Sequence, residues 1–306
     1  MDQAIPAQPD FAPPRRRMKS IPFVAVHLIA LGTFVLGPFS WKLVALAVAS
    51  YFLRMFAITA GYHRYFAHRT YKTSRAFQFI LALFGTTATQ KGPLWWAAHH
   101  RDHHRFSDQP EDIHSPIQRG FWWSHVGWVL SPEYDQTKLD RIKDFAKYPE
   151  LRWLDRWHIV PVVAYATAFY LIGGTPALLW GFFVSTTFLW HGTFLVNSLA
   201  HVFGRRRYAT TDASKNSFII ALFTMGEGWH NNHHHYQSTS NQGWFWWEID
   251  MSYYVLRAMS VVGLVSDLRV PPRHIREATI KQTTRAAAAA FAIPAEVREP
   301  AVADVS

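Results

Sequence analysis

Residues 159–201 read IVPVVAYATAFYLIGGTPALLWGFFVSTTFLWHGTFLVNSLAH. Two apolar segments, about 159–172 and 177–196, are separated by the turn-forming sequence Gly-Gly-Thr-Pro at 173–176. Glycine and proline interrupt regular structure, and each apolar segment has the composition of a helix that lies in a lipid bilayer. This stretch therefore predicts a helical hairpin within a membrane, and it decides the fold class of the chain.

A second apolar hairpin is predicted nearer the N-terminus, with segments at about 21–39 and 43–62. The first of these is just long enough to cross about 30 Å of hydrocarbon at about 1.5 Å per residue. Arg54 is the one charge in the middle of the second segment, so it should face protein or water rather than lipid. The expected fold is all-α: an integral membrane protein with four transmembrane helices in two hairpins and a helical cytosolic cap.

Basic residues indicate the orientation of these hairpins. They occur in RRRMK at 15–19, HRYFAHRTYKTSR at 63–75 and GRRR at 204–207, whereas the connecting loop 37–42 contains only Lys42. Because positive loops stay on the cytoplasmic side, both termini and every histidine-rich segment are expected in the cytoplasm.

The expected domain organisation follows from these segments. A disordered, proline-rich basic arm occupies 1–20, a membrane domain occupies 21–275, and a loose tail occupies 276–306. Within the membrane domain, the cytosolic cap comprises 63–157 and 201–275. The moderately apolar residues 76–90 are expected to form a helix at the membrane surface or packed inside the protein.

Composition excludes several classes of site. The chain of 306 residues contains 17 histidines and no cysteine, so disulfides, thiolate metal ligands and cysteine-ligated iron–sulfur clusters are excluded. Any metal must be held by nitrogen and oxygen. The net charge of +10 is compatible with nucleic acid or with an anionic membrane surface or partner. Because the basic residues flank apolar runs, and no nucleic-acid motif stands out, the membrane is favoured and nucleic acid is not expected.

The first histidine motif is HRYFAH, which contains His63 and His68. A spacing of five turns an ideal α-helix by about 500°, so the two rings should not share a helical face. Either the chain leaves the helix between them, or the two rings reach one site from different directions.

Two further motifs, HRDHH and HNNHH, repeat one pattern. Their histidines are spaced i, i+3 and i+4, which places three rings near one face of a helix. A fourth motif, NSLAH, places Asn197 and His201 one turn apart at the cytoplasmic end of a predicted membrane helix. The candidate metal ligands are His63, His68, His100, His103, His104, His201, His230, His233 and His234. One first-row ion takes about four to six ligands, so nine imidazoles predict a two-metal site.

The other histidines, and the carboxylates beside the candidate ligands, are expected to have supporting roles. Isolated histidines are expected to be packed or hydrogen-bonded; these are His27, His125, His158, His191 and His274. Residues adjacent to ligands are candidates for orienting them, or are simply exposed; these are Asp102, Glu227, His99, His114 and His235. The runs Trp95–Trp96 and 244–247 are candidates for a lipid channel, with an interfacial belt or core packing as the alternative.

The motif set resembles the membrane fatty-acid desaturases, particularly the acyl-CoA delta-9 (stearoyl-CoA) group, and looks closest to bacterial members. The resemblance runs from about residue 22 to residue 270 and is carried by HRYFAH, QKGPLWWAAHHRDHHRFSD, NSLAH and GEGWHNNHH. It implies that the nine histidines hold two irons, that Asn197 contacts one iron through a water, and that an acyl chain lies in a bent tunnel beneath them. It also implies a multi-pass protein of the bacterial inner membrane.

The expected reaction is the oxygen-dependent insertion of a cis double bond into a saturated acyl chain, with acyl-CoA the favoured substrate over carrier protein or intact lipid. No dinucleotide fingerprint and no haem-attachment motif is present, so electrons should come from a small cytochrome or ferredoxin with its reductase. A diiron fatty-acid or alkane hydroxylase is the nearest alternative. A membrane metal transporter is a remote one, because it would place its ligands inside the membrane helices.

Overall fold

The computed structural model describes residues 20–278; the predicted arm up to residue 19 and the tail from residue 279 lie outside the described residues. Within this part the chain is mostly helical. The α-helices are α1 Ser20–Leu36, α2 Trp41–Phe56, α3 Arg75–Thr86, α4 Pro93–Phe106, α5 Pro116–Arg119, α6 Trp128–Leu130, α7 Lys143–Ala146, α8 Pro149–Arg156, α9 Ile159–Leu178, α10 Ser185–Ser198, α11 Phe218–Phe223, α12 His230–His235, α13 Met251–Val261 and α14 Arg273–Arg276.

Wider and tighter helical turns interrupt or extend these helices. The π-helical segments are Ala57–Ala67, Trp123–Gly127 and Leu179–Val184, and the 3₁₀ segments are Pro132–Tyr134, Leu139–Arg141 and Leu199–His201. Two short strands, β1 Lys72–Thr73 and β2 Val265–Ser266, form an antiparallel ladder. The all-α prediction therefore missed a small ladder, which joins the end of the first hairpin to the C-terminal part of the cap.

The first hairpin forms where the sequence predicts it. The Ser40 hydroxyl caps α2 by accepting a hydrogen bond from the backbone N–H of Leu43 at 3.3 Å. The second helix does not end near residue 62 as predicted, because a π-helical segment continues it to Ala67. Arg54 is fully buried and donates to the Thr186 hydroxyl at 2.8 Å, which confirms that it faces protein.

The second hairpin turns at its predicted position. Helical geometry fails at Gly173 (φ −145°, ψ 21°) and at Gly174 (φ 63°, ψ −160°), where the positive φ suits glycine. Beyond this break the chain packs back on itself, so that Gly181 lies directly against the Phe169 ring. A side chain at Gly181 would overlap that ring, and the absence of one allows the two helices to approach closely.

Between residues 20 and 278, two continuous helical runs, Trp41–Ala67 and Ile159–His201, are long and apolar enough to cross a membrane. The second run has 43 residues, about 65 Å of helix, and its break at 173–174 divides it into two segments. Ser20–Leu36 is apolar but has only 17 residues. Much of its surface is apolar and exposed, including Leu31 and Val35 at 61% and 70%.

The cap covers the ends of these helices. α3 packs beside the π-helical segment Ala57–Ala67 and contributes Leu81 and Ala82 to the main apolar core, which bears out a packed helix within 76–90. Leu151 and Leu154 of α8 enter the same core. The cap thereby fixes α4 and α12, the two helices with the repeated histidine pattern, over the ends of the long helices.

Candidate metal centre

The π-helical segment Ala57–Ala67 brings together two histidines that an α-helix would separate. The His68 N–H donates to the His63 carbonyl at 3.1 Å, which is the i to i+5 bond of a π-helix. The wider turn places the two rings with their centroids 4.8 Å apart and nearly perpendicular. The expectation of separate helical faces was wrong because it assumed α-helical winding, whereas the alternative of two rings reaching one site is confirmed.

Helices α4 and α12 each contribute to two separate histidine clusters. On α4, His100 and His104 point to one cluster and His103 points to the other. On α12 the assignment is reversed, since His233 joins the first cluster while His230 and His234 join the second. The predicted shared face is therefore divided: the i, i+4 pair serves one cluster and the i+3 residue serves its neighbour.

The nitrogen atoms of each cluster lie within 4.8 Å of one another. The five-histidine cluster contains His63, His68, His100, His104 and His233. The four-histidine cluster contains His103, His201, His230 and His234. All nine candidate ligands from the sequence thus meet in two adjacent groups, although they come from segments up to 171 positions apart.

Neighbouring Nε2 atoms within each cluster lie at distances that a hydrogen bond and a shared metal ion would both allow. The Nε2 atom of His233 lies 3.0 Å from Nε2 of His63 and 2.9 Å from Nε2 of His104. The two remaining Nε2 pairs, His68–His100 and His201–His230, are 2.9 and 3.1 Å apart. Two ligands at right angles and about 2.0–2.1 Å from one ion lie about 2.9 Å apart, whereas tetrahedral ligands lie about 3.3 Å apart. These distances are therefore compatible with ligands at right angles around one ion.

Four carboxylates hold the far nitrogens of cluster histidines. The Nδ1 atoms of His63, His103, His201 and His234 lie 2.5, 3.0, 2.8 and 2.7 Å from Glu227, Asp112, Asp108 and Asp212, respectively. Such a contact fixes the ring so that Nε2 points into the cluster, where a metal ion would bind. Glu227 was predicted; the three aspartates were missed, because they lie in loops where no helical spacing links them to a histidine.

Asp102 does not have the orienting role predicted for it. It forms ion pairs with Lys138 at 2.7 Å and with Arg141 at 2.8 Å. Asp102 neighbours His103 along α4, and successive residues point about 100° apart around a helix. Its carboxylate is therefore directed toward the cap surface rather than toward the cluster.

The remaining predicted neighbours lie beside the clusters. His99 donates a hydrogen bond from Nδ1 to the Trp95 carbonyl at 2.9 Å, so Nδ1 carries the proton. His114 lies with its ring centroid 4.3 Å from that of His103. His235 stacks on Tyr208 at 4.2 Å between centroids, away from both clusters. These three are packed neighbours rather than members of either cluster.

Most of the cluster histidines that lie outside the long apolar helices are kept neutral by burial. Burial, and then neighbouring histidines, lower the pKa well below its usual value for His68, His100, His104, His230 and His233. At His103 burial also lowers the pKa, but the facing Asp112 carboxylate and the nearby Asp212 and Asp108 raise it by more. The pKa of His103 is therefore raised above its usual value. Because metals bind neutral imidazole, the lowered pKa values leave the ring lone pairs available at neutral pH.

The pKa values of the four facing carboxylates are lowered. Burial would raise the pKa of Asp108, Asp112, Asp212 and Glu227, but the facing histidines and hydrogen bonds hold it below its usual range. Each is therefore charged at neutral pH. The four charges partly offset those that two divalent ions would bring to a buried site.

A cavity of about 960 Å³ opens beside the five-histidine cluster. Trp95 and Trp96, the candidates for lining a lipid channel, lie in its wall together with His100 and Asn197. It continues between the long helices to Phe182. Most of its wall is apolar, and its size lies within the range of pockets for extended organic ligands.

Polar contacts fix the wall of this cavity near the cluster. The Gln90 side-chain amide donates to the Thr193 hydroxyl at 2.8 Å, and the Trp96 indole donates to the Gln90 side-chain oxygen at 3.3 Å. The Ser124 hydroxyl donates to the Asn197 backbone carbonyl at 3.0 Å. The predicted water contact of the Asn197 side chain remains a prediction, but the residue lies at the cavity end nearest the metals' candidate ligands.

A model of the fatty acid desaturase family matches residues 39–265. The chain belongs to the fatty acid desaturase family. This desaturase is 37% identical over 252 residues to an sn-1 stearoyl-lipid 9-desaturase of Synechocystis, covering 82% of the chain and 79% of that relative.

Two plant relatives act at other positions. The chain is 36% identical over 248 residues to an acyl-CoA 5-desaturase of Anemone leveillei, covering 79% of the chain and 77% of the relative. It is 35% identical over 268 residues to a palmitoyl-monogalactosyldiacylglycerol delta-7 desaturase of Arabidopsis thaliana, covering 84% and 71%. The family shows that this desaturase is a membrane-associated oxidoreductase of lipid metabolism, and the two clusters are able to hold metal ions.

Proposed function

We propose that this desaturase inserts a cis double bond into a saturated fatty acyl chain, using two iron ions and dioxygen. The observation that carries this proposal is the pair of all-nitrogen histidine clusters at the end of an apolar cavity. The balanced reaction consumes one dioxygen, two electrons and two protons. It removes two hydrogens from adjacent methylene carbons and releases two waters.

The donor set is compatible with iron. Neutral imidazole suits iron as well as copper and zinc, and the desaturase family is the reason for choosing iron among the three. His63, His68, His100, His104 and His233 would hold one ion, and His103, His201, His230 and His234 the other, with Asn197 contacting one of the two ions through a water. Iron with dioxygen supplies the oxidant that cleaves unactivated C–H bonds, which no side chain can do.

The protein's own residues position the substrate and exclude water. The apolar wall between Trp96 and Phe182 would hold the acyl chain, and the Gln90–Thr193 contact would fix the part of the wall beside the reacting carbons. Small displacements of the reacting carbons cost large factors in rate. The position of the double bond would therefore be set by how far the chain extends past the clusters.

The double-bond position and acyl carrier are proposed from the relatives. A delta-9 product is proposed because the matched cyanobacterial relative is a 9-desaturase, although plant relatives are named for positions 5 and 7. Relatives are named for both acyl-CoA and lipid-linked substrates. We take acyl-CoA as the substrate, with electrons delivered by a small cytochrome or ferredoxin and its reductase.

The experiment that tests this function is fatty-acid analysis after expression in a host that lacks desaturases. Wild-type protein, with iron and a working donor, is expected to give a new cis-monounsaturated acid. The His233→Ala variant should give none, because His233 lies against two other cluster histidines. His274→Ala, on an exposed histidine outside both clusters, is the matched control. A hydroxy acid as the main product would instead identify a hydroxylase.

We also propose four membrane crossings, with the metal clusters and both termini in the cytoplasm. The chain has no cysteine, so single-cysteine variants can be labelled without background. Thr175→Cys, in the turn of the second hairpin, should react with an impermeant thiol reagent only from outside the cytoplasm. Gln237→Cys, just after α12, should react only from the cytoplasmic side. The same sidedness for both cysteines would contradict the topology.

A further inference from the structure

An exposed apolar helix lies outside the metal centre. The six residues of α11 have the sequence FIIALF, and Phe218, Ile219, Leu222 and Phe223 are between 48% and 60% exposed. Four large apolar side chains on so short a helix form a contiguous patch, which in water would be unfavourable. Such a patch marks a surface that meets an apolar partner.

The position of α11 indicates which partner. The Tyr51 hydroxyl donates to the Phe223 carbonyl at 2.7 Å, and Tyr51 precedes His63 by twelve residues in the apolar run Trp41–Ala67. The same hydroxyl lies against Gly192 of α10, nine residues before His201. The end of α11 therefore lies alongside two apolar helices, about two to three turns below the histidine clusters, where those helices would meet hydrocarbon.

The opposite end of α11 is basic. Arg205 and Asn216 exchange two backbone hydrogen bonds, of 2.9 and 2.8 Å, which hold the Arg205–Arg207 triplet beside the start of α11. Arg205 and Arg206 are exposed, whereas Arg207 pairs with Glu248 at 2.7 Å. After that pairing, the triplet retains a charge of about +2.

A pocket of about 620 Å³ lies at the basic end of α11, where the arginines meet the start of the apolar face. Its lining includes Arg205, Arg206, Phe218, Ile219 and Trp247. Arginine matches the geometry of phosphate oxygens, and tryptophan favours the boundary between headgroups and hydrocarbon. The neighbouring Trp246 is 87% exposed, as expected for a residue that inserts at this boundary.

We propose that this surface binds an anionic phospholipid of the cytoplasmic leaflet. Its phosphate would lie between Arg205 and Arg206, and one of its acyl chains would lie along the exposed face of α11. An acidic electron-transfer protein could use the same arginines. It would leave the apolar face of α11 uncovered, however, since that face adjoins the long apolar helices.

The test uses the purified full-length protein in neutral detergent with an equimolar mixture of phosphatidylglycerol and phosphatidylcholine, and counts bound lipids by native mass spectrometry. Phosphatidylglycerol should be retained in preference. Each basic residue near an anionic surface strengthens binding about five-fold, so removing two should weaken the binding of phosphatidylglycerol about thirty-fold. The variant is Arg205→Ala with Arg206→Ala. The matched control is Arg152→Ala with Arg156→Ala, which removes two exposed arginines from α8.

A second variant, Ile219→Gln, leaves the charge intact and should also reduce retention of phosphatidylglycerol, because it disturbs the apolar face. Inorganic phosphate at the same concentration should not displace the lipid. The proposal would be overturned if the α8 control lost phosphatidylglycerol as strongly as the arginine variant. It would also be overturned if both the arginine variant and Ile219→Gln retained phosphatidylglycerol as the wild type does. A loss of affinity for an acidic ferredoxin in the arginine variant with lipid retention unchanged would overturn it as well. All these readouts are independent of desaturase activity.

Discussion

Replacing Asp212 by asparagine should weaken one metal site and spare the other. Asp212 lies 2.7 Å from Nδ1 of His234, a member of the four-histidine cluster. A hydrogen bond to a charged group contributes about 1.5–3 kcal/mol, and a neutral one about 0.5–1.5 kcal/mol. The substitution keeps the shape but removes the charge, so the loss of about 1–2 kcal/mol corresponds to about 5- to 30-fold weaker binding at that cluster.

The assay is metal content by mass spectrometry after equilibration with a graded series of chelator. Asp212→Asn should release one ion at a lower chelator concentration than wild type, while the second ion is retained. The control is Asp102→Asn, which removes a buried carboxylate that adjoins His103 in sequence but pairs with Lys138 and Arg141. Equal metal retention in Asp212→Asn and wild type, or equal losses in the two variants, would refute the assignment of orienting carboxylates.

Three further predictions concern stability. Gly181→Leu should push the two helices of the second hairpin apart and lower the free energy of unfolding by about 1–3 kcal/mol. Gly32→Leu is the control and should not, because Gly32 has open space around it. Similar melting temperatures for the two variants would contradict the close packing at Gly181. His191 lies 3.0 Å from both His27 and His125. The His191→Phe variant should leave the buried His125 and the half-buried His27 each without one hydrogen-bond partner, and lower the melting temperature by about 3–8 °C without changing metal content. Loss of metal in this variant would show a different role for His191. Metal-depleted protein should lose stability as the pH falls below about 6.5. Histidines of the unfolded chain take up protons in that range, whereas the buried cluster histidines of the folded protein do not, because their pKa is lowered. A melting temperature that is constant from pH 8 to 5.5 would contradict this prediction.

The hairpins and the ligand set could be predicted from sequence because both depend on local patterns. Gly173 and Gly174 interrupt an apolar run, and that signal located the turn without any knowledge of packing. The histidine motifs repeat a helical spacing twice, which is improbable for residues that merely pack. A resemblance to known desaturases then added the expectation of two irons and of a water-mediated contact by Asn197.

The parts that escaped prediction depend on contacts between distant segments. The π-helical winding between His63 and His68 has no periodic signature, since it is stabilised by packing and by the buried pairs of Arg64 with Glu227 and Asp250. The orienting aspartates lie in irregular loops, as Asp212 does. Asp102 was misassigned because adjacency in sequence was taken for proximity, although neighbours on a helix point in different directions.

The division of His100, His103 and His104 between two clusters also lay beyond sequence reasoning. All three rings lie within one broad helical face, and the pattern could not show that the face lies between two ions. It becomes visible only when α12 is placed opposite α4, because the i+3 residue of each helix then faces the i, i+4 pair of the other.

The most direct test of the account is the metal content and coordination of the purified, active protein. X-ray absorption and elemental analysis should find two irons per chain, each surrounded by nitrogen and oxygen at about 2.0–2.2 Å with more than four ligands. The His103→Ala variant should retain the ion of the five-histidine cluster. One ion per chain, tetrahedral zinc in an active preparation, or loss of both ions together in that variant would contradict two separate histidine-held sites.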